Sequence, residues 1–212
     1  MNAFSEFLKV LKRKYPNYLQ LWEKSKTEFG KKWEQELSKN IELMFGSQKN
    51  RRWNLAIDGY AEFCTEALRS QIYFEKTGRY EATNYRQVRK LCYFSEDYMN
   101  KRYLPGQYLS HYVWPHHQRM LRGFRKMVKK LFTQPMENFC EVGVGCGMYS
   151  KTALEDFPKI WGVGYDIRPF ALKFTKKVVS RFGFEKRYKT KNINILKSIN
   201  EPQFDLVICC IS

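Results

Sequence analysis

Residues 139–150 read Phe-Cys-Glu-Val-Gly-Val-Gly-Cys-Gly-Met-Tyr-Ser, an apolar run that meets an acid, three alternating glycines and then helix-forming residues. Glycines at the end of a strand let the backbone approach a ligand closely, and the free N–H groups that open the next helix attract an anionic group. A dinucleotide fingerprint needs G-x-G-x-x-G, but the third glycine arrives one residue early, as Gly143, Gly145 and Gly147, with Glu141 two residues before the first. Three further features follow in order. Asp166 ends the apolar run Trp161–Asp166, nineteen residues after Gly147; Asn192 follows a third run; and Phe204-Asp205-Leu206-Val207-Ile208 forms a fourth.

Loop, acid, amide and F-D-L-V in this order resemble the class I S-adenosylmethionine-dependent methyltransferases, whose first motif is commonly an acid followed by G-x-G-x-G. The resemblance covers residues 137–212, roughly the first half of that family's domain. It implies S-adenosyl-L-methionine as cofactor, held by Gly143, Gly145 and Gly147, with Glu141 near the methionine ammonium, Asp166 on both ribose hydroxyls and Asn192 against the adenine amino group. A carboxylate suits the ribose because it accepts two hydrogen bonds at once. The F-D-L-V strand would lead into the reaction site. Methyl transfer from a sulfonium needs in-line approach to an activated carbon, so positioning and desolvation carry much of the catalysis and a base is needed only for a poorly acidic or protonated nucleophile.

All three histidines and several tyrosines lie between Tyr103 and His117, directly before the glycine loop. In many small-molecule methyltransferases the segment ahead of the first motif folds over cofactor and substrate. Tyr103, Tyr108 and Tyr112 are therefore expected to line a lid, and His111 is the candidate base, since a neutral imidazole accepts a proton near neutral pH. His116 and His117 lack a C-x-x-C partner, so no metal site is expected. Cys209 and Cys210 have no preceding proline, unlike the nucleophilic cysteine of cytosine-5 methyltransferases, and read as buried strand-end thiols. The chain also lacks the D-P-P-Y or N-P-P-Y pattern of enzymes that methylate exocyclic base amines.

The elements that must position these residues differ along the chain. Residues 1–133 carry 26 basic and 13 acidic side chains, net +13, and residues 134–212 carry 12 and 8, net +4, summing to the +17 of the whole. In the first part apolar residues recur at helical spacing: Phe4, Phe7, Leu8 and Leu11; Trp33, Leu37, Ile41 and Met44; Ile57, Tyr60, Ala61, Cys64 and Leu68. Pro16 opens a helix, Gly30, Gly46 and Gly78 close others, and Leu104-Pro105-Gly106 reads as a turn. A helix from Pro115 places Met120, Leu121, Phe124, Met127, Val128 and Leu131 on one stripe among six Arg and Lys. From residue 134, strands at 138–142, 160–166, 187–191 and 204–210 alternate with helices after Gly147 and Pro169. The fold class is α/β, a Rossmann-like parallel sheet of strands one to four preceded by an all-α region, with domains 1–133 and 134–212.

No apolar run is long enough to span a membrane, no signal-peptide order opens the chain, and the six cysteines show no disulfide density, which points to a cytoplasmic location with free thiols. Three functions compete. The first is a methyltransferase acting on a small-molecule acceptor, with the helical region building the acceptor pocket. The second is an RNA methyltransferase whose basic helices grip phosphates, weakly and without sequence preference. The third is a non-catalytic binding or structural fragment. The family sheet has seven strands in the order 3-2-1-4-5-7-6, and only four are present before Ser212. The fourth run is apolar enough to be buried, so a truncated piece, a homo-oligomer, a partner chain or the N-terminal region covering that edge is expected.

Overall fold

Helical spacing of large apolar residues organises the first unit, Met1–Val113, of a computed structural model that describes residues 3–46, 51–84, 86–87, 96–132, 135–197 and 203–210. Its long helices among the described residues are α1 (Ala3–Lys14), α2 (Leu19–Phe45), α3 (Arg51–Thr77) and α4 (Leu104–Val113). Phe7 packs on Trp22 and Trp53, and Trp22 meets Tyr60 edge-on, so one residue from each of α1 and α2 and two from α3 form an aromatic centre. Pro16 opens a 3-10 turn before α2. Gly30 breaks α2 with a φ of 72°, a conformation that suits glycine. The spacing Trp33, Leu37, Ile41 and Met44 forms a buried stripe, as do Ile57, Tyr60, Ala61 and Cys64, whereas Leu68 is exposed. The Phe4 side chain lies outside the described residues.

Leu104-Pro105-Gly106 is not a turn. A π-helical stretch, Met99–Tyr103, runs directly into α4, and its wider backbone precedes a proline that has no N–H to donate and whose ring crowds a regular turn. The glycine serves close approach instead: a Cβ on Gly106 would fall 2.3 Å from the Gly59 carbonyl oxygen, and one on Gly59 would fall 2.2 Å from that of Arg102. Two helices cross backbone to backbone there, which no other residue permits.

The second unit, Trp114–Ser212, begins twenty residues before the sequence boundary at 133. The reason is α5 (Pro115–Leu131), which packs on α6 (Met148–Asp156): Phe124 meets Tyr149 edge-on at 5.1 Å, and Arg125 pairs with Glu155 at 2.5 Å and Asp156 at 3.3 Å. The expected six-residue stripe of α5 is split. Leu121, Phe124 and Val128 are buried, whereas Met120, Met127 and Leu131 are exposed.

The sheet holds β1 (Asn138–Val142), β2 (Trp161–Asp166), β3 (Tyr188–Asn192) and β4 (Leu206–Ile208), all parallel, in the order β3-β2-β1-β4. With α7 (Pro169–Arg181) and α6 as crossovers, this is the Rossmann-like arrangement, and the chain reverses direction across the sheet between β1 and β4. Ligands bind in such folds at the carboxyl ends of the strands beside that reversal. Gly162 and Gly164 in β2 yield their space to neighbours: a Cβ would meet the Phe139 ring at 2.3 Å and the Tyr188 hydroxyl at 2.1 Å. At the opposite end Asp205 accepts the N–H groups of Glu137 and Asn138 and so ties β4 to the start of β1. Only Ile208 of β4 is buried; Val207 is 61% exposed, because β4 stands at the edge of the four strands. Cys209 is accordingly exposed and Cys210 half-buried, not the buried pair expected, while Cys92 lies outside the described residues.

Candidate functional site

The site is built where β1 and β2 end. Gly143, Gly145 and Gly147 all have positive φ, 73°, 49° and 73°, a sequence of left-handed turns that residues with side chains adopt at a cost. Hydrogen bonds fix the loop: the Gly143 N–H donates to the Tyr165 carbonyl at 2.8 Å and the Gly147 N–H to that of Val144 at 2.7 Å. Gly147 caps α6, and a Cβ there would meet Thr175 of α7 at 2.8 Å, while the Thr175 hydroxyl donates to the Gly145 carbonyl. The loop therefore turns tightly and opens the α6 N-terminus beside the strand ends.

Asp166 closes β2 with 4% exposure. Its Oδ1 accepts the backbone N–H of Arg168 at 2.9 Å and faces Arg168 Nε at 3.5 Å. Its Oδ2 is buried and has no hydrogen-bond partner among the described residues. An unsatisfied buried carboxylate oxygen costs stability, of order 1–3 kcal/mol or more, and native proteins complete such groups with an ordered water, an ion or a ligand. Asn192 ends β3 in register with Asp166, and its amide donates to the Asp166 carbonyl at 2.8 Å. That bond uses one of the two amide N–H donors and orients the side chain.

Glu141 is buried at 2% exposure near the end of β1. Its Oε2 accepts both the Ser150 N–H, at 2.8 Å, and the Ser150 hydroxyl. Ser150 in turn shares a 2.7 Å hydrogen bond with the buried Tyr188 hydroxyl. Burial pushes the Glu141 carboxyl up to about 8, against the opposing pull of the Ser150 hydrogen bonds, with the Asp166 charge adding to the rise. Burial likewise lifts the Cys146 thiol to about 12, which removes it as a nucleophile near neutral pH.

Gly143, Gly145, Gly147, Glu141, Asp166 and Asn192 thus all belong to one end of the sheet in the second unit. The expected lid residues lie in the first. All ten residues of α4 are buried, the Tyr108 and Tyr112 hydroxyls donate to Asn40 Oδ1 at 2.9 and 2.7 Å, and His111 is 2% exposed. Tyr103 stacks edge-on against Phe63. His116 and His117 cluster with Trp114 at the start of α5. Among the described residues no group of His, Cys, Asp and Glu is arranged to hold a metal ion.

Sequence reasoning missed Ser150, Tyr188 and Thr175 around the loop, and Arg187, whose guanidinium donates to the carbonyls of Leu154, Phe157 and Ile160 and so closes the end of α6. A signal was present for Tyr188: two glycines alternating within one strand, Gly162 and Gly164, mark space taken by large neighbouring side chains.

No protein-family model and no curated protein matches the chain. Among solved structures it is similar to human N-acetylserotonin methyltransferase in complex with SAM, at 19% identity and a TM-score of 0.42, over 81% of this chain and 42% of that one. It is also similar to the mitomycin 7-O-methyltransferase MmcR, at 14% and 0.44 over 74% and 42%. An O-methyltransferase family protein from Burkholderia thailandensis gives 13% and 0.44 over 74% and 43%. The chain spans less than half the length of each.

Proposed function

We propose that the second unit binds S-adenosyl-L-methionine and that the protein transfers its methyl group to a small-molecule acceptor. The observation that carries this reading is the unpartnered, buried Asp166 Oδ2 beside a loop with three left-handed glycines. Both carboxylate oxygens keep acceptor capacity, Oδ2 in full and Oδ1 in part, which is what a vicinal ribose diol requires. The group fits the residues present: Asp166 would take the ribose hydroxyls, Asn192 Oδ1 the adenine amine, Glu141 the ammonium, and the loop the path between them.

When bound, the cofactor supplies an electrophilic methyl carbon on a sulfonium. The chain's own contribution is to bind, orient and exclude water. The glycine loop holds the backbone close without side chains in the way. Asp166 is held in place by the Arg168 N–H, and Glu141, whose carboxyl burial pushes up to about 8, offers a cation its ionised form, which the two Ser150 hydrogen bonds favour. The ten residues of α4, His111 included, are packed inside the helical unit, so no base is assigned.

The acceptor reading favours a small molecule over RNA because part of the basic surface is already committed. Arg125 and Lys129 of α5 pair with Glu155 and Asp156, Lys151 is fully buried against Glu155, and the Arg187 guanidinium is spent on backbone carbonyls. Incubation with methyl-labelled S-adenosylmethionine and separate RNA and small-metabolite fractions tests it. Label is expected in the low-mass fraction and in none of the RNA; the reverse outcome overturns the acceptor assignment.

A further inference from the structure

Beneath the glycine loop lies a hydroxyl chain that the binding scheme does not use. Tyr188 rises from β3 through the space left by Gly164, and its hydroxyl meets Ser150 Oγ at 2.7 Å. Ser150, in the first turn of α6, gives both its backbone N–H and its hydroxyl proton to Glu141 Oε2. With the Ser150 proton committed to an ionised Glu141, Tyr188 must donate to Ser150 Oγ. All three side chains are buried, and three elements, β1, α6 and β3, are tied through them. Both hydrogen bonds land on Oε2, and none from the described residues reaches Oε1.

We propose that Ser150 and Tyr188 are positioning residues that clamp Glu141 through Oε2, so that Oε1 meets the ammonium of the amino-acid part of the cofactor. This rests on the reading of the site as an S-adenosylmethionine site. The clamp does two things. It fixes the rotamer of a buried carboxylate, and by donating two hydrogen bonds it favours the charged form that attracts a cation. Among the described residues the titratable groups that bear on Glu141 are Cys146 in the loop, Tyr149 on α6, Asp166 on β2, Tyr188 on β3 and Cys210 after β4, none of them a cation. The ligand's own ammonium is therefore the positive charge the site takes up.

Two ligands separate this role from a structural one: S-adenosylhomocysteine, which carries the ammonium, and 5′-methylthioadenosine, the same nucleoside thioether without the amino-acid part. In Ser150→Ala the affinity for the first should fall about tenfold and in Tyr188→Phe about threefold, with the second unchanged within about twofold. The wild-type affinity for S-adenosylhomocysteine should also rise between pH 6 and pH 9 as the carboxylate forms, and in Ser150→Ala the rise should shift to higher pH, while methylthioadenosine shows no such rise. Tyr188→Phe keeps the ring in place and serves if Ser150→Ala folds poorly. Equal losses for both ligands, or none for either, overturn the proposal. Wild-type protein that binds neither ligand overturns the cofactor reading itself, and the clamp with it.

Discussion

The helical unit and the sheet unit both bury polar side chains, and they treat them differently. In the first, Asn40 Oδ1 receives two tyrosine hydroxyls, Ser25 donates to the Val113 carbonyl, and the Trp33 indole donates to that of Tyr112 at 3.0 Å. These bonds join α2 to α4 and close on themselves. In the second, Asp166 keeps an oxygen without a partner, Glu141 is held in a state shifted far from its ordinary range, and three consecutive alternate residues sit in left-handed conformations. Polar groups that complete one another mark a packed core. The helical unit also holds a buried oxygen without a hydrogen-bond partner among the described residues, Glu62 Oε2, so what marks the place of ligand entry is the coincidence of Asp166 Oδ2 with the strand ends and the left-handed glycine loop.

The largest effect expected on this contrast falls in the helical unit. Gly59→Ala places a methyl 2.2 Å from a backbone oxygen, which should destabilise the protein by about 3 kcal/mol despite alanine's better helix propensity. Thermal denaturation measures it, and a variant as stable as wild type would show that the helices do not cross as closely as described.

Next in size, Asp166→Ala should weaken S-adenosylhomocysteine binding by about 1.5 to 3 kcal/mol, from lost charged hydrogen bonds. Its melting temperature should move by no more than about 4 °C, since the variant also removes an unsatisfied buried oxygen. Equal losses of binding and stability would make Asp166 a structural residue.

A pH effect sharpens the comparison further. Glu141 titrates near 8 in the folded state against an ordinary 4.5. Its contribution to stability is therefore complete below about pH 4.5 and is lost as pH rises through about 8. Chemical denaturation between pH 5 and pH 9 should show the ligand-free protein weakening across that window, and Glu141→Gln should remove most of the slope. An unchanged slope in the variant would place the titration elsewhere. The smallest effect is expected for Tyr108→Phe, which removes one of the two hydroxyls on Asn40 and should cost about 1 kcal/mol without touching ligand affinity.

The sheet unit was the more legible of the two in sequence. Asn138–Val142 matches β1 to the residue, and the acid, glycines, Asp166 and Asn192 announced their places because strand ends and left-handed turns depend on local residue type. What escaped was long-range. Ser150 and Tyr188 are 38 positions apart and come together only through the β2–β3 register. Asp205, read only as part of the F-D-L-V strand, ties the starts of β1 and β4 across 67 and 68 positions. Leu104-Pro105-Gly106 misled for the same reason: proline and glycine signal a turn locally, but here the glycine answers a helix packed across it. Within the Tyr- and His-rich stretch, Leu104–Val113 forms a buried helix whose Tyr108 and Tyr112 hydroxyls meet an asparagine 68 and 72 residues away.

The account stands or falls on ligand binding by the sheet unit, and calorimetric titration of the wild-type protein with S-adenosylhomocysteine and, separately, with NAD tests it most directly. Saturable heat with S-adenosylhomocysteine and none with NAD is the predicted result; heat with NAD alone, or with neither ligand, would contradict it.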